Sequence, residues 1–358
     1  MAGPAGGGAI SGPVKALARH EETGSVFFSD GARVFVKKDD CTDIGELPVT
    51  AGVPGLIQID ALHAVGRWVL AAYSSPLPAG SFPHPTAVPV GLVTAWDYAA
   101  VLRGEPIKSI LLQPSPTEVA AHKLGATAIE SVALPGEEPY IFTGSMDGTI
   151  KMWQFSAASG AFSCKPFDSA NAHVRGVRSL VFINGHLFSA SGDRTVKVWD
   201  PATLTCVATV MPPAPASDPA TILAKTSVRG GGGGGAGASA AAAAVRAAHA
   251  GVNPQTSVEQ DVVAIDAFVF QNQPIVVAAY KDGSIRCYDV SVPATPKVID
   301  QAKVDGGGQG NDDTGKPLEL CAMVHMPLDA AASVEPALLI AYHVSLLGMK
   351  EIIIIISG

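Results

Sequence analysis

The chain has 358 residues, a formal net charge of −8 and 16% charged residues, against about a quarter in an ordinary soluble protein. Its 47% apolar content supplies a large core and excludes wholesale disorder, while the excess of acids argues against a general phosphate-binding surface. It holds 38 Gly and 27 Pro, about 18% of the chain against a usual roughly 12%.

Residues 1–13 form a Gly- and Pro-rich leader, expected to be flexible. The start lacks the apolar stretch of a secretory signal, so a cytoplasmic protein is expected. Lys15 and Arg19, with no acid in the first 20 residues, leave a mitochondrial presequence as the alternative. The first strand–turn–strand unit follows as Ser25-VFFSDGARVFV-Lys37, with Asp30-Gly31 in the turn. A second pairs Trp68-VLAAYS with Gly91-LVTAW-Asp97 across the Pro-rich insertion 76–90.

Three later units share one wording: Ile141-FTGSMDGTIKMW-Gln154, Leu187-FSASGDRTVKVW-Asp200 and Val276-VAAYKDGSIRCY-Asp289. Each reads as a strand, a tight turn around an Asp (Asp147, Asp193, Asp282), and a strand ending in an aromatic (Trp153, Trp199, Tyr288). A sixth candidate joins Ala337-LLIAYH to Gly348-MKEIIIII. Apolar strands precede the units, among them Ile57-QIDALHAV and Val177-RSLVFI, and another such as Leu204-TCVATV follows, predicting four antiparallel strands per repeat. From Trp153 to Trp199 is 46 residues, and from Trp199 to Tyr288 is 89, which is one repeat plus the long insertion 211–259.

The run His173-x3-Val177-x2-Leu180-x-Phe182, then Ser189, Ser191, Asp193 and Trp199, resembles the WD40 repeat, whose period is about 40–45 residues. The resemblance is close in the fourth unit, good in the third and weaker elsewhere. It implies an all-β chain: a WD40-type β-propeller over 14–358 with six four-stranded blades counted, seven being commoner in the family. By the same resemblance His173, Ser189 or Ser191, Asp193 and Trp199 form a hydrogen-bonded structural tetrad. His122, Thr143, Asp147 and Trp153 have the same roles in blade 3, with a spacing after His122 about three residues longer. Blade 5 has Ala278 and Ala279 where the serines stand, so no tetrad is expected there. Phrases such as Gly144-SMDGTIKMW are similar to the propeller of plant CCCH zinc-finger WD40 proteins, but the chain has no CCCH finger and no RNA-binding role is carried over.

In a propeller of this family the d–a and b–c connections emerge on one face. Insertions 76–90, 211–259 and 305–317 are then all expected on that top face. The longest runs through Gly230 to Gly235 and Ala240 to Ala244, a flexible coil and a helix too short to persist alone unless it docks on something. Closure of the ring is expected from residues 9–11 pairing with the last strand.

Chemistry-bearing patterns are sparse. The His–Ser–Asp set of blade 4 lacks a nucleophile elbow, and Gly306-GGQGN lacks the strand–helix setting of a phosphate loop. Cys41, Cys164, Cys206, Cys287 and Cys321 lie at least 34 residues apart, which is no metal spacing. Neither Ile352–Ile356 nor the 13 residues Ala337–Met349 approaches the roughly 20 needed to span a bilayer. The expectation is therefore no catalytic residue, cofactor, metal, membrane or small-molecule substrate. The chain reads as a non-catalytic scaffold that binds other proteins of a complex through the top face, with Arg175, Arg178, Arg194, Arg229 and Arg246 as candidate contacts. The alternative is a subunit of an RNA–protein particle touching RNA through those arginines; a central-channel enzyme ranks last and would need carboxylates or histidines lining that channel.

Overall fold

The computed structural model describes residues 14, 16–20, 22–31, 33–38, 43–48, 58–75, 89–103, 105–211, 261–270, 272–281, 284–303, 319–326, 337–343 and 350–356. Their strands form six antiparallel sheets, five of four strands and one of three. Taken in chain order as blades, the first is β1 (Ala16–Arg19), β2 (Val26–Ser29), β3 (Val34–Lys37) and β4 (Asp43–Leu47). Blade 2 is β5 (Gln58–Val65), β6 (Trp68–Ser75), β7 (Val90–Asp97) and β8 (Ser109–Leu111), with a one-turn helix α1 (Tyr98–Leu102) between its last two strands. Blade 3 is β9 (Ala126–Val132), β10 (Tyr140–Ser145), β11 (Ile150–Ser156) and β12 (Ala161–Pro166). Blade 4 is β13 (Val177–Ile183), β14 (His186–Ser191), β15 (Val196–Asp200) and β16 (Thr205–Val210). Blade 5 is β17 (Val262–Phe270), β18 (Gln273–Tyr280), β19 (Ser284–Asp289) and β20 (Lys297–Lys303). The sixth is β21 (Glu319–Met326), β22 (Ala337–His343) and β23 (Lys350–Ile356).

Each sheet is a meander because its turns are local. In blade 3 the Asp147 carboxylate accepts the Thr149 N–H at 2.9 Å and the Thr149 hydroxyl at 2.6 Å, closing the turn with its own side chain. Gly148 follows at φ +82°, and a Cβ there would stand 2.2 Å from the His173 carbonyl oxygen, so a side chain is excluded twice over.

A bulge recurs at the head of the first strand of five sheets, at Ile59/Ala61, opposite Gly144/Ser145, and at Val177/Ser179, Val262/Ala264 and Leu320/Ala322. It aligns Ile59, Ala126, Val177, Val262 and Leu320 as one position. With that alignment His122 and His173 both lie four residues before their strand. The extra length of blade 3 sits instead between β9 and β10, where 133–139 replace the two residues 184–185, away from the tetrad. The longer spacing after His122 is therefore five residues, not three, and falls in this loop.

Apolar side chains pack between neighbouring sheets, since each sheet has two apolar faces and cannot bury either alone. Phe27, Val36, Tyr73 and Trp96 fill the seam of blades 1 and 2; Trp68, Leu70, Ile141 and Trp153 that of blades 2 and 3. Phe142, Met152, Leu180 and Trp199 join blades 3 and 4, and Val181, Phe188, Val276 and Tyr280 join blades 4 and 5. Inner strands are also tied directly: the Thr127 hydroxyl donates to the Val177 carbonyl at 2.5 Å and Ser179 to that of Ile265 at 3.3 Å.

Pro89 and Val90 belong to β7 and its approach, so insertion 76–90 is shorter at its end than expected. Residues 76–88, 212–260 and 304–318 lie outside the described residues, as do 9–11, which were expected to close the ring on β23. By the meander, the strands that flank those three insertions leave and re-enter their sheets at the same end.

Candidate functional site

In blade 4 the b-strand hydroxyl left open by the sequence is that of Ser189. Its oxygen accepts the Trp199 indole N–H at 2.8 Å and stands 2.7 Å from His173 Nε2. His173 Nδ1 lies 2.9 Å from Asp193 Oδ2, which also accepts the Val174 N–H at 3.0 Å. A neutral imidazole with its proton on Nδ1 gives every donor in this chain an acceptor, running Trp199 to Ser189 to His173 to Asp193. Burial opposes ionisation of Asp193, but the His173 contact and the Thr195 bonds outweigh it and hold the carboxyl well below the usual range. Ser191 does other work: it donates to the Arg175 carbonyl at 3.0 Å and accepts the Asp193 N–H at 3.1 Å, fixing the turn.

Blade 3 builds the same chain with one substitution. His122 Nε2 meets the Thr143 hydroxyl at 2.7 Å, and that oxygen accepts the Trp153 N–H at 2.8 Å. Asp147 stands 4.0 Å from His122 Nδ1, which bonds Thr149 at 3.1 Å instead, so the threonine relays to the carboxylate. Burial lowers His122 to about 4, in keeping with a neutral ring.

Blade 5 has no such chain among its described residues. The bulge alignment sets Ala278 against Ser189, Ala279 against Ala190, and Tyr280 against Ser191, so only the first alanine stands at a serine position. Tyr280 and Tyr288 bond hydroxyl to hydroxyl at 2.9 Å, and the Arg286 guanidinium lies 4.6 Å from the Tyr280 ring centre. Blade 2 is similar, with Ala71 at the Ser189 position, Tyr73 bonded to Thr94 at 2.9 Å, and the Trp96 N–H satisfied by the Pro48 carbonyl at 2.8 Å. Asp282 lies outside the described residues.

The inner strands also place His63, Glu130, Val181 and Asp266 at one level of blades 2 to 5. His63 Nε2 bonds the Ser131 hydroxyl at 2.7 Å, and burial lowers it to about 4. Glu130 accepts the Ser131 N–H at 2.8 Å; burial, abetted by the Asp266 charge, pushes it up to about 7. No group of three or more His, Cys, Asp or Glu able to hold a metal occurs among the described residues.

Arg175, Arg178 and Arg194 converge on Asp261, where the chain re-enters blade 5 after 212–260. Arg175 Nη1 stands 3.7 Å from Asp261 Oδ1 and 3.4 Å from the Gly192 carbonyl oxygen. Burial raises Asp261 above the usual carboxylate range, while Arg175, Arg178, Lys281 and Arg194 all pull the other way. Arg229 and Arg246 lie outside the described residues. Sequence reasoning missed Asp261, Lys281 and the apolar residues beside them. A signal was present: blades 1, 3 and 5 read Asp-Gly in the turn, whereas blade 4 reads Asp193-Arg194.

Fold and tetrads together define a β-propeller of the WD40 type. The family model for the WD domain, G-beta repeat, matches residues 115–154 and 164–200, the segments that build blades 3 and 4. The chain thus carries two WD40 repeats. It is 44% identical over 154 residues to zinc finger CCCH domain-containing protein 17 of Oryza sativa subsp. japonica, covering 42% of this chain and 34% of that protein. It is 28% identical over 111 residues to protein transport protein SEC13 of Pyricularia oryzae, covering 29% of this chain and 36% of the relative. Identity is 30% over 117 residues to nuclear distribution protein PAC1 of Lachancea thermotolerans, covering 29% and 26%. The chain thus spans about a third of the length of these relatives. The crystal structure of the WD40 β-propeller domain of Doa1 superposes with a TM-score of 0.51 at 14% identity, over 91% of this chain and 75% of that one, a likeness of fold.

Proposed function

We propose that this protein is a non-catalytic scaffold subunit of a larger complex, in the cytoplasm, holding protein partners on the face that carries the insertions. A WD40 propeller related to SEC13 and PAC1 has a role of the protein-interaction kind. The observation that carries the reading is that the histidine, serine and threonine groups of the blade 3 and blade 4 tetrads are consumed by structure. His173, Ser189, His122 and Thr143 are buried and bonded to one another and to the tryptophans. A hydroxyl already accepting an indole N–H and bonded to an imidazole inside the core meets no substrate.

Isolation of the native protein under mild conditions tests this. A stoichiometric protein companion is expected; a monomer with none overturns the scaffold reading.

A further inference from the structure

We propose that the outer edge of β23 takes up an extended segment of another protein, which becomes the fourth strand of the sixth sheet. That segment is a run of β-branched residues followed by a base and then an acid. The proposal goes beyond the scaffold reading, which concerns the insertion-bearing face.

An outermost strand presents a row of N–H and C=O groups along one side, a template for any extended chain unless something blunts it. Each of the five four-stranded sheets blunts its outer strand. β4, β16 and β20 each hold one extra residue, Ile44, Val207 and Ile299, in a bulge that bends the strand and interrupts the ladder. β8 is three residues long, and β12 ends in Lys165-Pro166, whose proline has no N–H to donate. β23 has none of these devices. It pairs with β22 in unbroken register over seven residues, from Ala337↔Ile356 to His343↔Lys350, and holds no Pro, Gly or charge from Ile352 to Ile356. Among the described residues no strand pairs with its other side, and its sheet is the one with three strands. Alternate residues of β23 turn their N–H and C=O toward that side.

The edge itself specifies the occupant. The five complete sheets are antiparallel meanders, so the incoming strand runs antiparallel to β23. Opposite Ile356 to Ile352 it needs residues that favour a pleated apolar neighbour. Opposite Glu351 and then Lys350 it needs a base and an acid, because unlike charges across a pair stabilise and like charges destabilise. Residues 1–13 do not fit this description. Seven of them are Gly or Pro, and the longest run free of both is the three residues Ala9–Ser11, against seven in β23. A second copy of β23 fits poorly too: two-fold pairing over its full length sets Lys350 opposite Ile356 and Glu351 opposite Ile355, charge against isoleucine.

The test titrates two labelled peptides onto the full chain: Val-Thr-Val-Thr-Val-Lys-Glu and the same peptide with its last two residues exchanged. The first is expected to bind more tightly than the second, and to lose about tenfold or more in affinity on an Ile354→Lys variant, which charges the edge. Should that variant unfold, N-methylation of alternate peptide residues makes the comparison on the parent protein. One alternate set is expected to abolish binding and the other to leave it, since only one set turns its N–H to β23. No binding of the first peptide, no preference between the two, equal binding by variant and parent, or equal tolerance of both methylated sets overturns the proposal. Slow amide exchange of Ile352–Ile356 that turns fast on deletion of residues 1–13 also overturns it, by assigning the edge to the leader. A dimer that Ile354→Lys dissociates does so by assigning it to a second copy. None of these results touches the scaffold reading, which the native companion tests.

Discussion

Blades 4 and 5 have the same strand order, the same pairing register and the same bulge at the head of the inner strand, yet they hold their cores together differently. Blade 4 threads a polar chain from Trp199 to Asp193 through the sheet, leaving no donor unpaired. Blade 5 replaces the serine by Ala278 and meets the same volume with two tyrosines that satisfy each other. The backbone therefore does not demand the tetrad. What it demands is that any polar group brought into the seam finds its partner there.

Breaking the blade 4 chain in the middle has the largest expected effect. Ser189→Ala leaves the Trp199 N–H without its acceptor and His173 Nε2 without its donor, two buried orphans, and should cost about 2–4 kcal/mol in urea unfolding. Ala278→Val in blade 5 removes no polar partner; if it destabilises as strongly, packing rather than pairing governs both seams.

Next comes the level shared by His63, Glu130, Val181 and Asp266. Burial pushes Glu130 up from the ordinary 4.5 to about 7 in the fold, so the folded state binds the proton more tightly. Its contribution is fully present below the unfolded value and is lost as pH rises through 7, up to roughly 3 kcal/mol. His63, lowered to about 4, works in the opposite sense: its neutral form is favoured by folding, and stability falls as pH drops from 6.5 through 4. Unfolding midpoints measured against pH should therefore decline on both sides. Glu130→Gln should flatten the alkaline side and leave the acid side in place.

Within blade 5, Tyr280→Phe strands the Tyr288 hydroxyl and should cost about 1 kcal/mol, while the Tyr280→Phe/Tyr288→Phe pair recovers much of it. A double-mutant cycle that shows simple additivity would refute the mutual pairing. The smallest effect concerns the turns: Arg194→Gly relieves the left-handed strain and should stabilise by about 0.5–1 kcal/mol, measured as a raised melting temperature.

Much of this was legible in the amino-acid order. The alternation in Val177 to Phe182 and the Asp-centred turns are local rules, and the periodic Trp153, Trp199 and Tyr288 repeat them. Blade 3 misled because its added residues were counted from His122, whereas backbone pairing puts them in the β9–β10 loop. Choosing Ser189 over Ser191 was equally out of reach, because two hydroxyls two residues apart look alike until the indole of Trp199 reaches one of them. The basic corner was half visible: its three arginines stood out, but Asp261 and Lys281 lie 67 and 87 residues beyond Arg194 along the chain.

What the chain determined by itself was its repeat, because four short strands joined by self-closing turns need only neighbouring residues to form. It also determined where the Gly and Pro excess falls: 32 of the 65 lie in the leader and the three insertions, and the remaining 268 residues hold an ordinary share. Only the tertiary structure decided which polar groups satisfy one another across a seam and which cations share a corner. Those contacts join residues from different blades, and their energies depend on distances and burial that no local pattern encodes.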